Sequence, residues 1–221
     1  MNLGVRLQRM SSSEPYSKIV EDLERLRAAN VKVFGSDNHG FHLQNCLSND
    51  EVVAFEAEHN VRLPEDYRGF LMRVGRGGAG PYYGLFNLGE MDDGYGYQSW
   101  KEDGGFVGIL AKPFPYSAPW NDLTGYPDDD LADEDDEAYE RALNAFEVRY
   151  WAQIDGAIPI CHLGCALRQW LVISGPEAGT VWADYRVDLK GLYPLNSAAG
   201  ERVSFLRWYR DWLDQALTGI Q

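Results

Sequence analysis

The stretch Leu63-Pro64-Glu65-Asp66-Tyr67-Arg68, with its continuation Val74-Gly75-Arg76-Gly77-Gly78-Ala79-Gly80-Pro81-Tyr82-Tyr83-Gly84-Leu85, governs how the chain is read. Pro64 stands at a first-turn position, where its missing N–H costs nothing, and Tyr67, Phe70, Leu71 and Val74 fall at i, i+3, i+4 and i+7. The spacing predicts a helix that stops at the glycine cluster. From Pro81 the period changes to aromatic and branched residues bounded by glycines (Tyr82, Tyr83, Leu85, Phe86, Leu88), which predicts a strand. Gly75, Gly77 and Gly80 spell G-x-G-x-x-G, but a nucleotide site needs a strand before that motif and a helix after it. The order here is the reverse, so the glycines read as a helix terminus and tight turn.

Upstream, Ser13 as N-cap, Pro15 in the first turn and Ile19, Leu23 and Leu26 at helical spacing predict a helix to about Asn30. A turn-rich stretch from Gly35 to Gly40 follows, and Ser48 with Glu51 forms a capping box for a helix to about Asn60. Downstream, residues 91 to 135 read mainly as loop, with a strand candidate at Phe106 to Leu110. Tyr139, Leu143, Phe146 and Tyr150 then mark an amphipathic helix. Short strands are expected at Ala157 to Ile160, Gln169 to Ser174 and Thr180 to Asp184, the last two forming a hairpin through Gly175, Pro176 and Gly179, with a fourth around Leu189 to Leu195. Ser204 caps a final helix with Phe205, Trp208, Tyr209, Trp212, Leu213, Ala216 and Leu217 on one face. Helices first, then strands, then a closing helix indicate an α+β fold.

The 221 residues carry 34 acids against 20 lysines and arginines, a net charge of −14. Nine of those acids stand between Asp128 and Glu140 with no base among them; without them 25 acids face 20 bases. Such a chain is unsuited to DNA, RNA or anionic membrane, whose phosphates it would repel, and a basic partner is favoured. No stretch is apolar enough to span a membrane, and Met1 to Glu14 lack the apolar core of a secretory signal, so a cytoplasmic protein is expected. Cys46, Cys161 and Cys165 are too few for a disulfide framework, in keeping with a reducing compartment.

Candidate chemical sites are thin. Cys161, His162 and Cys165 suggest a metal but lack the second pair that a tetrahedral site requires, and small buried thiols at a strand-to-turn junction are the simpler reading. Asp37, His39 and His42 read as a solvated loop cluster. Neither G-x-S-x-G nor H-E-x-x-H occurs. The run Asp128 to Asp136 lacks the alternating ligands, central Gly and terminal Glu of an EF-hand, which leaves a solvated loop or a partner-binding element. Most of the seven tryptophans sit at periodic, core-like positions, whereas Trp120 follows a Pro-rich loop and serves either to pack that loop down or to anchor a partner.

The 63–85 stretch resembles the SMI1/KNR4 family of the SUKH superfamily. Further matching segments are Pro119-Trp120-Asn121, Gly164-Cys165, Leu171-Val172-Ile173-Ser174-Gly175-Pro176 with Gly179, Val181, Trp182 and Asp184, and Ser204-Phe205-Leu206 with Trp208-Tyr209 and Trp212-Leu213. Arg76 departs from a common Asn, and Tyr116-Ser117 from a frequent His-Thr. The resemblance covers residues 44–217, which sets apart 1–43 as a tail and first helix and puts an acidic loop at about 121–137 within the domain. It implies a single α+β domain, a curved, mostly antiparallel sheet flanked by helices, with no enzymatic activity and no cofactor or metal. Bacterial members are similar to immunity proteins that bind and neutralise polymorphic toxins, often nucleases; a fungal branch regulates cell-wall synthesis and signalling. The compact chain, without long disordered flanks, is expected to follow the bacterial pattern. On that reading the partner is a cognate toxin with a basic surface, and the expected contacts are the anchors Tyr82, Tyr83 and Trp120 with Asp128, Asp129, Asp130, Asp133 and Glu134 around them.

Overall fold

The structure is a computed structural model that describes residues 14–92, 97–100 and 106–220. Ser13, expected as the first N-cap, and the tail before it lie outside the described residues. Helix α1 (Glu14–Ala28) buries Tyr16, Ile19, Leu23 and Leu26 along one stripe, and a single turn of helix, α2 (Ser36–His39), follows between two left-handed glycines, Gly35 and Gly40. In α3 (Asn49–His59) the Ser48–Glu51 capping box is formed in both directions. Pro64 is the N-cap of α4 (Glu65–Arg73). The closing helix named below as α7 packs its aromatic face on α4, with Tyr67 and Phe70 set edge-on to Phe205 at 4.7 and 5.1 Å between ring centroids.

The segment after the glycine cluster is not the strand that its composition predicts. Tyr82 adopts φ 54° and Gly84 φ 102°, so the chain turns here, and only Leu85 makes bridges, to Gly78 and to Cys161. The glycine-rich run folds back on itself instead of extending. Gly78 exchanges two backbone hydrogen bonds with Leu85 and lies so close to His42 that a Cβ would stand 2.5 Å from its carbonyl oxygen. A side chain at that position is excluded on sterics as well as on its φ of 99°. From α7, the Tyr209 hydroxyl donates to the Ala79 carbonyl at 2.8 Å and pins the turn to the core.

A short hairpin, β1 (Glu90–Asp92) with β2 (Tyr97–Ser99), lies in the stretch read as loop, and the expected strand at 106–110 amounts to one bridge, between Val107 and Ile154. The acid-rich stretch is also not loop throughout: α5 (Asp129–Glu134) precedes α6 (Asp136–Tyr150). The main sheet is an antiparallel meander of β3 (Ala157–Gly164), β4 (Leu167–Val172), β5 (Val181–Asp184) and β6 (Leu192–Pro194), and α7 (Phe205–Leu217) ends the fold. Two register shifts in β3, at Pro159/Cys161 and His162/Gly164, bend the sheet. Its edges are covered by single bridges, Leu85 to Cys161 at one and Trp120 to Leu192 at the other.

Strand alternation divides the interior in two. Ile158, Leu171 and Val181 face a large core shared with α1, α4 and α7. Ala157, Trp170, Val172, Trp182 and Leu192 face a smaller one with Phe114 and Ile154. The first helix is thus part of the same hydrophobic core as the sheet.

Asp22 joins α1 to α7. Its carboxylate is wholly buried and accepts from Lys18 and Arg25 on its own helix, both at 2.9 Å, and from Arg210 of α7 at 3.0 Å. Burial pushes its carboxyl up, and the hydrogen bonds from Lys18, Arg210 and Arg25 more than offset that, holding it below the ordinary aspartate value. A depressed carboxylate contributes stability above its unfolded pKa, and loses it as pH falls through the folded one. Asp22→Asn is therefore expected to cost about 2 kcal/mol at neutral pH in urea unfolding. The difference from the parent should vanish in acid, where Asp22 is itself protonated.

Candidate partner-binding site

The acid tract is built on helix ends. Asp128 caps α5, its Oδ1 accepting from the Asp130 amide at 3.0 Å, and Asp135 both ends α5 and caps α6, accepting from Ala138 at 2.9 Å. Carboxylates at helix N-termini meet the positive end of the dipole, which is why so acidic a segment becomes helical. Asp128, Asp129, Asp130, Asp133, Glu134, Asp135, Asp136, Glu137 and Glu140 are all exposed. Among the described residues the only base ion-paired to this tract is Arg141, 3.6 Å from Glu137. The result is a local surface of high negative charge with little internal neutralisation.

Trp120 is not beside it. The indole is half-buried between Tyr116 and Tyr150, at 5.1 and 5.5 Å between centroids, and its backbone exchanges two hydrogen bonds with Leu192. It packs its loop onto the small core. Tyr150 ends α6 and Asp136 begins it, so Trp120 and the acids are separated by roughly 20 Å of helix.

Tyr82 and Tyr83 belong to a third place, on the large-core side of the sheet. Phe34, two-thirds exposed, meets both rings edge-on, at 6.3 Å from Tyr82 and 5.3 Å from Tyr83. Tyr83 also lies over His162, 5.6 Å between rings. Tyr82 opens onto a cleft of about 530 Å³ between the 33–34 segment, the 81–82 turn, the sheet and α7. Phe34, Tyr185, Trp208 and Trp212 supply its other aromatic faces, Gln169 of β4 faces into it and Asp211 of α7 lines it. Burial raises the Tyr82 phenol above its usual pKa, with Tyr185 and Cys161 adding to the shift, so the hydroxyl stays neutral.

Gln169 is the unusual member. It is 3% exposed, shares the large-core face of β4 with Leu171, and its Oε1 has no hydrogen-bond partner. A buried acceptor left unpaired costs about 1–3 kcal/mol. The polar residue at an inward position of Leu167-Arg168-Gln169-Trp170-Leu171 was a signal in the sequence. The pairing of Trp208 and Trp212 with Phe34 and Tyr185 across the cleft had none, since these residues are far apart along the chain.

The remaining candidates do not assemble into a chemical site. Cys161 is mid-strand rather than at a junction; its thiol donates to the Pro81 carbonyl at 3.0 Å, and burial pushes its pKa up. Cys165 is exposed. His39, expected to be solvated, is instead buried against Phe41 and Trp212. Its Nδ1 accepts from the Phe41 amide, and burial lowers its pKa to about 4. Asp37 pairs with Lys32 and His42 lies against Arg27, so the three do not converge. Among the described residues no three His, Cys, Asp or Glu side chains are grouped to hold a metal ion, and no helix is long and apolar enough to cross a membrane.

The family model described as SMI1 / KNR4 family (SUKH-1) matches residues 46–201. The chain belongs to the SMI1/KNR4 family. No curated protein and no solved structure matches it. The SUKH-1 match takes in α3 through β6 and includes the acid tract, Tyr82, Tyr83 and Trp120; α1 and α7 lie outside it. The cleft is therefore made where the SUKH-1 region meets flanking segments, with Tyr82, Gln169 and Tyr185 inside the match and Phe34, Trp208 and Trp212 outside.

Proposed function

We propose that the protein is a non-enzymatic, cytoplasmic immunity protein that binds a cognate polymorphic toxin and occludes its active site. The observation that carries this reading is the exposed, scarcely neutralised acid surface of α5 and the start of α6 on a SUKH-1 scaffold. A nuclease toxin is the favoured target, because a groove that binds phosphate is basic and an array of carboxylates competes for it. Charge complementarity of this kind accelerates encounter and selects partners, and desolvated side chains hold the complex once formed.

The test is association kinetics with candidate toxin domains taken from neighbouring genes. Asp128→Asn, Asp129→Asn and Asp130→Asn combined should slow association roughly 3- to 10-fold at low salt and flatten its salt dependence. An unchanged rate would remove the acid tract from the mechanism. A second reading, an intracellular scaffold or cell-wall regulator that recognises a peptide, is favoured by the apolar cleft rather than by the acids. Growth rescue during toxin expression separates the two, since only an immunity protein restores it.

A further inference from the structure

The cleft between α7 and the sheet presents a specific chemistry. Its aromatic faces come from Phe34, Tyr82, Tyr185, Trp208 and Trp212, and its one charged lining residue is the carboxylate of Asp211. Gln169, almost wholly buried, lines it, and the Oε1 of that side chain has no hydrogen-bond partner. Among the described residues no lysine or arginine lines the cleft; of the bases next to it, Lys32 pairs with Asp37 and Arg210 with Asp22 and Asp214, while Arg207 takes Oδ1 of Asp211 itself and leaves Oδ2 as the oxygen open to a partner's cation. The Asp211 side chain nevertheless remains half exposed, at 52%.

We infer that this cleft receives an arginine side chain from an extended segment of a protein partner. The guanidinium carries donors and no acceptor, so it satisfies Gln169 Oε1 without introducing a new unpaired lone pair. Its flat, weakly hydrated face stacks on aromatic rings, where the ring quadrupole attracts the cation, and Asp211 supplies the opposite charge. Lysine has the charge but lacks the planar fork. A volume of about 530 Å³ exceeds one side chain, which leaves space for apolar neighbours of the arginine against Val33 and Leu195. The inference does not rest on the toxin reading: neither the exposed acids of α5 and early α6 nor Trp120 lines the cleft, and the probe below is not a toxin.

The experiment titrates N-acetyl-arginine methylamide into the ¹⁵N-labelled full chain and follows the Gln169 side-chain amide with the Trp208 and Trp212 indole signals. Saturable shifts at these groups are expected, about 5-fold weaker in affinity for the neutral isostere N-acetyl-citrulline methylamide, and none for the norleucine analogue. Gln169→Leu should weaken arginine binding about 10-fold while the melting temperature stays level or rises, because the variant has no unpaired acceptor to bury. Asp211→Asn, a surface change that leaves the core untouched, should weaken binding about 3-fold and reduce its salt dependence. Equal binding of citrulline or norleucine, the absence of saturable shifts, or full affinity in both variants would overturn the proposal.

Discussion

Asp184→Asn is expected to destabilise the protein by about 3–5 kcal/mol, measured as the loss of unfolding free energy in urea. Arg186 is 2% exposed and Asp184 6%, and they meet in a two-pronged pair, Nε to Oδ1 at 3.0 Å and Nη2 to Oδ2 at 2.8 Å. The Nη1 donors of Arg186 go to the carbonyls of Tyr150 and Ala152, both at 3.2 Å, and its guanidinium lies over Trp151. Trp170 donates its indole N–H to Asp184 Oδ2 at 3.2 Å. This network joins the end of α6 to the sheet and closes the small core. Asparagine retains the shape of the side chain but leaves a buried guanidinium without its counter-charge, and that uncompensated cation, more than the lost contact, sets the size of the effect. Replacing both partners, as in Asp184→Leu with Arg186→Met, should recover part of the loss, since no charge remains to be buried. Recovery of nothing would show that the carbonyl bonds from Arg186, not the ion pair, hold α6 in place.

Gly35→Ala is expected to cost about 2–5 kcal/mol and to disturb the wall of the aromatic cleft. Gly35 has φ 77°, and a Cβ there would stand 1.9 Å from the Tyr82 carbonyl oxygen and 2.3 Å from its carbon. Both obstacles are backbone, so neither can move aside as the tip of a side chain would. The close approach is what puts Phe34 against Tyr82 and Tyr83. Gly89→Ala is the control, with φ 88° and nothing within 4 Å of the added carbon, and should show only the left-handed penalty, about 1 kcal/mol. Equal losses at the two positions would mean that backbone strain, not the contact with Tyr82, is what excludes a side chain at Gly35.

Much of the fold was legible because it rests on local rules. The Ser48 capping box, the proline before α4, the Ser204 cap of α7 and the Gly175–Gly179 connection each concern a few adjacent residues, and each is formed. The register of β4 against β5 follows from alternation, with Trp170 opposite Trp182 on the small-core face. Tyr82 to Leu88 misled because aromatic, branched residues favour strands on average, whereas here contacts from Gly35, Gly78 and Cys161 impose a turn. The acidic helix was concealed by composition: aspartate is a poor interior residue, but six residues between two aspartate caps are mostly helix end.

Charge location, capping and periodicity are properties of neighbouring residues, and from them came the α+β class, the longer helices, the β4–β5 hairpin and the concentration of negative charge between Asp128 and Glu140. The cleft is of another kind. Phe34, Tyr82, Gln169, Tyr185 and Trp212 come from five segments separated by up to most of the chain, and the unpaired oxygen of Gln169 exists only because packing removes water from it. Folding also set Trp120 apart from the acids and sealed Arg186 against Asp184. Each of these depends on which distant groups exclude solvent together, a property that no local window of residues contains.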